Sequence, residues 1–132
     1  MLWFGRPGIT RCATGGGGFC FFNNTAFVCR ALALRARVAM LDIDVHHGNG
    51  TQALFYRSSR ALTVSIHGSP TYTYPFYSGY EEEQGVGMGR GYNVNLPLPK
   101  ETGLPEYRQA LGPSADAFPP VLPVRQTLLD AG

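Results

Sequence analysis

The chain has 132 residues, a length that suits one domain, and 44% of them are hydrophobic, which is enough to bury a core. Eleven Lys and Arg residues against nine Asp and Glu residues give a formal charge of +2, and their scattered positions argue against a nucleic-acid surface. Three cysteines without a CxxC spacing argue against a disulfide framework or a thiolate zinc site and favour a reducing cytoplasm, and no apolar run approaches the ~20 residues of a membrane span.

The first predicted elements are a loop and a helix. Residues 1–18 form the loop, which ends in four glycines; Phe19-Cys20-Phe21-Phe22 follows them, and this argues against a phosphate-binding loop. Asn24 or Thr25 can cap a helix that runs through about Arg37. The predicted apolar face of this helix comprises Phe27, Val28, Ala31, Leu32 and Leu34.

Two buried parallel strands are predicted next. Val38-Ala39-Met40-Leu41 and Leu62-Thr63-Val64-Ser65-Ile66 have the character of strands covered on both faces, and a short helical piece at Gln52–Tyr56 lies between them. This order is that of a βαβ unit. Ligands of such sheets collect beyond the carboxyl ends of the strands, so Ser65 and His67 are expected beside the residues that follow Leu41.

The segment Asp42-Ile43-Asp44-Val45-His46-His47-Gly48-Asn49-Gly50-Thr51 is the richest in chemistry. Alternate positions of an extended segment share a face, which would direct Asp42, Asp44 and His46 the same way. Carboxylate oxygen with imidazole nitrogen suits zinc, manganese or iron better than calcium or magnesium, which prefer oxygen alone. The alternative is a polar turn at a strand end, which explains this density of acids and histidines less well.

The connection over residues 67–91 is long and carries aromatic residues before the acidic run Glu81-Glu82-Glu83. One interpretation is an aromatic, acidic rim that receives a cationic substrate. The alternative is a solvated loop with some aromatic side chains tucked beneath it. The aromatic residues are Tyr72, Tyr74, Phe76, Tyr77 and Tyr80.

The last predicted elements are a strand and a helix. Tyr92-Asn93-Val94-Asn95-Leu96 alternates as a strand should, and the prolines that follow it, Pro97 and Pro99, are expected to close it. Pro105 suits the first turn of a helix that runs through about Leu111 and that Gly112-Pro113 is expected to stop.

Four segments resemble, in order and spacing, the histone deacetylase superfamily: Gly18-Phe19-Cys20-Phe21-Phe22-Asn23-Asn24, Asp42 to Gln52, Ser65-Ile66-His67-Gly68, and Gly91-Tyr92-Asn93-Val94-Asn95-Leu96-Pro97-Leu98-Pro99. Thr73-Tyr74-Pro75-Phe76-Tyr77 is more similar to the acetylpolyamine aminohydrolase and bacterial deacetylase-like branch. The resemblance covers about residues 5–118 of a single, incomplete domain, 1–132, whose tail 119–132 is unassigned. It implies an α/β fold of the arginase/deacetylase type, present in part, with a parallel sheet flanked by helices.

The resemblance also implies site residues and a reaction. Asp44 and His46 match two zinc ligands, and Gly18 and Phe19 match the lining of a substrate tunnel. A structural potassium site maps to Asp42, Asp44, His46, Ser65 and Ile66, and a second monovalent site maps to Phe55, Ser58, Ala61 and Tyr92. The implied reaction is zinc-dependent hydrolysis of an acetylpolyamine or of acetyl-lysine, assisted by a histidine pair and a tyrosine. Neither nucleic acid nor a membrane is an expected partner, and a homo-oligomer is left open.

The chain departs from the family at the positions of the histidine pair, where it has Ile9 and Thr10. Neither side chain accepts a proton near neutral pH, so general-base catalysis is expected to fall by about 10²- to 10⁴-fold. The third zinc ligand and the tyrosine have no counterpart here, and the expectation is an inactive form that is truncated or frameshifted. A one-base deletion in codons for Gly-His-His-Ala-Leu-Arg reproduces Gly8-Ile9-Thr10-Arg11-Cys12-Ala13. The alternatives are a non-catalytic metal- or ligand-binding module and an arginase-like binuclear manganese hydrolase.

Overall fold

A computed structural model describes residues 23–117 of the chain. This part contains three helices and three strands, and a 3₁₀ turn at Gly87–Gly89. The elements are α1 (Asn24–Ala33), β1 (Val38–Asp42), α2 (Asn49–Phe55), β2 (Ala61–Gly68), β3 (Asn93–Leu98) and α3 (Leu104–Ala117). None of the described helices is long and apolar enough to cross a membrane.

The three strands form one parallel sheet with β2 in the centre. β1 pairs with β2 so that Asp42 lies opposite Ser65, and β2 pairs with β3 so that Ser65 lies opposite Asn95. Every residue of β2 is buried, as expected for a parallel strand with neighbours on both sides. The predicted βαβ order is therefore confirmed, and the carboxyl ends of all three strands lie at one edge of the sheet.

The core consists of two clusters of apolar side chains, one on each face of the sheet. Side chains of α1 and α2 form the first with alternate residues of β1, among them Val38 and Met40. The other cluster is built on Ala39, Leu62 and Val64. Cys29 is a free thiol in the first cluster; burial raises its pKa to about 11, so it packs there as a small neutral side chain.

The predicted apolar face of the first helix is confirmed for Leu32, which packs against the core, and is wrong for Phe27, Ala31 and Leu34, which are exposed. Phe27 and Leu34 are 80% and 78% exposed, whereas Ala26, Cys29 and Ala33 point into the core. The small side chains of Ala26, Cys29 and Ala33 let the helix axis approach the sheet closely, so this face is buried. Hydrophobicity alone does not distinguish it from the face that carries Phe27 and Leu34.

The ends of the first two helices also differ from the prediction. Asn23, rather than Asn24 or Thr25, caps α1: its Oδ1 accepts a hydrogen bond from the N–H of Ala26 at 2.8 Å. The helix ends at Ala33 instead of near Arg37, after which the chain turns into β1. α2 begins at Asn49, three residues before the predicted start at Gln52.

Prolines expected to terminate elements lie inside them. Pro97 belongs to β3, opposite His67. Within the described sheet β3 is an edge strand, where a residue without an N–H can be accommodated. α3 continues through Gly112 and Pro113 to Ala117, although a proline inside a helix removes one backbone hydrogen bond and crowds the preceding turn.

Leu62 and Leu34 offer a matched test of this core. Leu62 is 4% exposed in the central strand, so Leu62→Ala should lower the free energy of unfolding by about 2–5 kcal/mol. Leu34 is 78% exposed, so Leu34→Ala should change the free energy of unfolding by roughly 0.5 kcal/mol or less. Urea denaturation measures both values, and equal losses would contradict the placement of α1.

Candidate metal centre

The segment that follows β1 is fixed by its own carboxylates. The N–H of Asp44 donates to Oδ1 of Asp42 at 3.0 Å, and the N–H of His46 donates to Oδ1 of Asp44 at 2.8 Å. Aspartate favours such local bonds to the backbone two residues later. These bonds set the direction of the carboxylates where the strand ladder stops.

Asp44 and His46 are the two residues predicted to bind zinc, and the structure brings them together. Oδ1 of Asp44 lies 3.3 Å from Nδ1 of His46, and the two side chains are 34% and 36% exposed. Two donor atoms that are each about 2.0–2.1 Å from one tetrahedral zinc ion lie roughly 3.3 Å apart. The pair therefore fits two ligand positions of such an ion.

A third protein ligand is not found in the part of the chain that the structure describes. Within residues 23–117, no group of three or more His, Cys, Asp and Glu side chains is arranged to hold a metal ion. Catalytic zinc takes three protein ligands and a water. The described residues thus supply two candidate ligands, and Ile9, Thr10, Gly18 and Phe19 lie outside them.

Asp42 does not join the Asp44–His46 pair and has different neighbours. Its Oδ2 faces Gly48, where an added Cβ would come within 2.5 Å of the oxygen, and Ser65 lies opposite it in the sheet. Burial raises the pKa of the Asp42 carboxyl to about 6; the Asp44 charge adds to the increase, and the Asp44 N–H opposes it. A half-buried carboxylate and a serine hydroxyl that line the same small cavity offer hard oxygen ligands, the kind expected at a potassium site.

Two imidazoles are stacked behind this segment. His67 is 1% exposed; its Nδ1 lies 2.8 Å from Oγ of Ser65, and its Nε2 lies 2.9 Å from the carbonyl oxygen of Gly79. The ring of His47 packs on that of His67 with 4.6 Å between centroids. Burial lowers the pKa of both rings, that of His47 to about 3, so both are neutral at physiological pH.

His47 and Asn49 are buried polar residues to which the sequence pattern assigned no role. Within the described residues, neither ring nitrogen of His47 nor Oδ1 of Asn49 makes a hydrogen bond of ordinary geometry. The Gln52 side chain is close enough to His47 to oppose part of its pKa shift. Nδ2 of Asn49 donates to the hydroxyl of Tyr77 at 2.9 Å. In the sequence, the only indication that they belong to the site is their position directly after Asp44 and His46.

One carboxylate attaches the connection between β2 and β3 to α2. Oε2 of Glu83 accepts from the N–H of Gly79 at 2.6 Å and from Nε2 of Gln52 at 2.9 Å. Oε1 of Gln52 accepts in turn from Nδ2 of Asn93 and of Asn95, each at 2.8 Å. This buried network connects the loop, the helix and the edge strand.

The aromatic residues of the connection lie beside the candidate zinc ligands. The ring of Tyr74 meets that of His46 edge-on at 6.3 Å, and Phe76 meets Tyr74 in the same manner at 6.4 Å. Phe76 is 57% exposed and Tyr77 is 67% exposed. The three residues of the acidic run have different environments. Glu81 and Glu82 face solvent, whereas the Glu83 carboxylate accepts a hydrogen bond from the loop backbone.

The residues of the second predicted monovalent site come from two neighbouring places. Phe55 and Ser58 share a turn, in which the Phe55 carbonyl accepts from the Ser58 N–H at 2.8 Å. Ala61 begins β2, and Tyr92 precedes β3, where its carbonyl accepts from the N–H of Thr63 at 2.9 Å. The site stays a prediction.

Comparison with known proteins agrees with the resemblance. The profile of the histone deacetylase domain matches residues 4–127. The chain is 48% identical over 107 residues to acetylpolyamine amidohydrolase 2 of Pseudomonas aeruginosa, which covers 80% of this chain and 31% of that protein. It is 38% identical over 125 residues to human histone deacetylase 7, which covers 86% of this chain and 13% of that protein.

Solved structures give the same result for the fold. The acetylpolyamine aminohydrolase of Burkholderia pseudomallei superposes with a TM-score of 0.81 at 44% identity, over 84% of this chain and 33% of that one. A histone deacetylase homologue from Aquifex aeolicus superposes with a TM-score of 0.79 at 38% identity, over 83% of this chain and 30% of that one. The predicted arginase/deacetylase fold, present in part, is confirmed, and the chain spans about a third or less of the length of these relatives.

Gly79 and Gly91 test how closely the loop packs on the two imidazoles. Gly79 has a φ of 105°, and a Cβ there would lie 2.7 Å from Nε2 of His67 and 2.8 Å from Cγ of His47. Gly79→Ala should therefore lower the free energy of unfolding by about 2–5 kcal/mol. Gly91 has a φ of 82°, and a Cβ added there would have no atom within 4 Å. Gly91→Ala should therefore lower the free energy of unfolding only through backbone strain, by roughly 1–2 kcal/mol. Indistinguishable losses in chemical denaturation would refute the packing.

Proposed function

The chain belongs to the histone deacetylase family, and from that membership we propose that it carries half of a zinc site for the hydrolysis of acetylated amines. The observation that supports this most directly is the 3.3 Å contact between Asp44 and His46 beyond β1. Zinc, when bound, supplies Lewis-acid polarisation of the amide carbonyl and acidifies water. Relatives named acetylpolyamine amidohydrolases favour an acetylated polyamine as substrate, and acetyl-lysine is the alternative.

In this proposal each nearby residue has a separate task. Asp44 and His46 hold the metal. Their backbone N–H groups donate to the carboxylates of Asp42 and Asp44, and these bonds orient the turn that carries the pair. The exposed rings of Tyr74 and Phe76 line the approach and attract a cationic amine through their π faces. A polyamine carries charges away from its acetyl group, so such a rim would improve binding rather than the chemical step.

We further propose that Asp42 and Ser65 bind a structural potassium ion together with Ile66 and the backbone of the turn. The two side chains are opposite each other in the sheet and offer oxygen atoms, the ligand type that a hard cation prefers. An ion at this place would neutralise a carboxylate that is otherwise costly to bury. Phe55, Ser58, Ala61 and Tyr92 are the proposed second monovalent site.

We also propose that the 132-residue chain alone does not hydrolyse amides. Ile9 and Thr10 provide no group that takes up a proton near neutral pH. Within residues 23–117, only Asp44 and His46 are paired as ligands. The second candidate is a non-catalytic metal-binding module. It would use Asp44 and His46 as metal ligands and would need no proton acceptor at Ile9 and Thr10.

Zinc titration of the chain separates these possibilities. We expect weak zinc binding that is removed by dialysis, because two protein ligands leave the coordination incomplete. We also expect no release of acetate from an acetylated polyamine or an acetyl-lysine peptide. Asp44→Asn should abolish the residual binding, and Glu82→Gln, at an exposed carboxylate, should not. Stoichiometric zinc without turnover would indicate the module, and stoichiometric zinc with turnover would contradict the proposed inactivity.

A chimera tests the half-site in a complete enzyme. Residues 23–117 replace the aligned segment of the Burkholderia pseudomallei acetylpolyamine aminohydrolase, to which the chain is 44% identical. We expect this chimera to hydrolyse an acetylated polyamine and to lose activity and bound zinc on Asp44→Asn. Extending the graft to residues 5–117 introduces Ile9 and Thr10 and should lower kcat by about 10²- to 10⁴-fold.

The double substitution Ile9→His with Thr10→His is the matched control for the longer graft and should restore most of the lost rate. The assignment of Asp44 would be refuted by a folded, active 23–117 chimera whose zinc content and rate are unchanged by Asp44→Asn. The assignment of Ile9 and Thr10 would be refuted by equal rates for the two grafts.

A further inference from the structure

The hydrogen bonds of His67 determine where the proton of the Ser65 hydroxyl lies. Nε2 of His67 is 2.9 Å from the carbonyl oxygen of Gly79. A carbonyl oxygen can only accept, so Nε2 must carry a proton. A neutral imidazole protonated there has a lone pair at Nδ1, and the Ser65 hydroxyl, 2.8 Å away, therefore donates to it.

The surroundings of His67 keep its ring neutral. The side chain is 1% exposed, and its two hydrogen-bond partners, Ser65 and Gly79, are uncharged. The ring of His47 packs on it at 4.6 Å and supplies no counter-charge. The Glu83 carboxylate is nearby, but its Oε2 already accepts from the Gly79 N–H. A buried charge without a direct partner is strongly disfavoured.

The lone pairs of the Ser65 oxygen are consequently directed away from His67. Ser65 is opposite Asp42 across the β1–β2 pair, and both line a small cavity of about 20 Å³ between the sheet and α2. A cavity needs about 10–15 Å³ to hold one water molecule, so this one accommodates a single small occupant. A carboxylate and an oriented hydroxyl present oxygen lone pairs to it.

The position of the Gly79 carbonyl is itself fixed by the loop. The N–H of Gly79 donates to Glu83 at 2.6 Å, and the absence of a Cβ lets the backbone approach both imidazoles. A chain of direct contacts thus runs from Glu83 through Gly79 and His67 to Ser65. It connects the loop that carries the aromatic residues with the proposed potassium site.

We propose that His67 is a positioning residue that holds the Ser65 hydroxyl with its lone pairs toward the potassium site and thereby strengthens cation binding there. This effect on cation binding rests on the potassium site of the proposed function. The orientation of the hydroxyl rests on the hydrogen bonds alone and can be tested separately.

Two substitutions at His67 each remove one of its two hydrogen bonds and keep the other. In His67→Asn the amide oxygen occupies the place of Nδ1 and still accepts from Ser65. In His67→Gln the amide reaches the place of Nε2 and still donates to Gly79, but the Ser65 hydroxyl loses its acceptor. Thermal unfolding is followed as KCl replaces tetramethylammonium chloride at constant ionic strength, since a bound cation stabilises the folded state.

The expected result is a half-saturating potassium concentration that rises roughly 2- to 10-fold in His67→Gln, the equivalent of one lost hydrogen bond. The value should stay at the wild-type level in His67→Asn, and Ser65→Ala should remove the response. A wild-type response in His67→Gln overturns the effect of His67 on cation binding.

Nitrogen-15 NMR of the wild-type protein reads the tautomer independently of any ion. The chain has three histidines, and the signals of His67 are those missing in His67→Asn. We expect a proton on Nε2 and none on Nδ1; a proton on Nδ1 overturns the hydroxyl orientation. The expected tautomer together with no potassium response in the wild type would overturn the potassium site and the effect of His67 on cation binding, while leaving the orientation of Ser65 intact.

Discussion

The parallel pairing of β1 with β2 is the constraint on which the rest of the site depends. It places Asp42 opposite Ser65 and brings the polar ends of both strands to one edge of the sheet. Because side chains alternate along a strand, a slip of one residue would turn Ser65 away from Asp42. The apolar clusters on both faces oppose such a slip, since it would move Leu62 and Val64 to the opposite face of the sheet. The apolar core therefore sets the register of the polar site.

The second layer of organisation is the network around Glu83 and Gln52. Its members come from α2, the long loop and β3, and each bond satisfies a polar group that would otherwise be buried without a partner. Through Gly79 the same network reaches His67, whose ring contacts both Ser65 and His47. The loop with the aromatic residues and the strand ends with the candidate ligands are consequently parts of one packed unit.

Sequence reasoning succeeds here where a local rule decides and fails where tertiary packing decides. Continuous apolar character identified β1 and β2. The proximity of Asp44 and His46 was also predicted, but β1 ends at Asp42, and backbone bonds to the aspartate carboxylates rather than an extended strand shape the segment that holds the pair. The buried face of α1 could not be found, because close approach of small side chains outweighs the hydrophobicity of Phe27 and Leu34. Pro97 is tolerated inside β3 by its place at an edge of the described sheet, and the inward turn of Glu83 depends on partners distant in sequence. No local pattern encodes those contacts.

The central claim is that Asp44 and His46 bind one zinc ion. Anomalous diffraction at the zinc absorption edge, from crystals of the chain grown with zinc, locates that ion directly. We expect a peak about 2.0–2.2 Å from both Asp44 Oδ1 and His46 Nδ1. A peak that is bonded to neither side chain, or to only one of them, would contradict it.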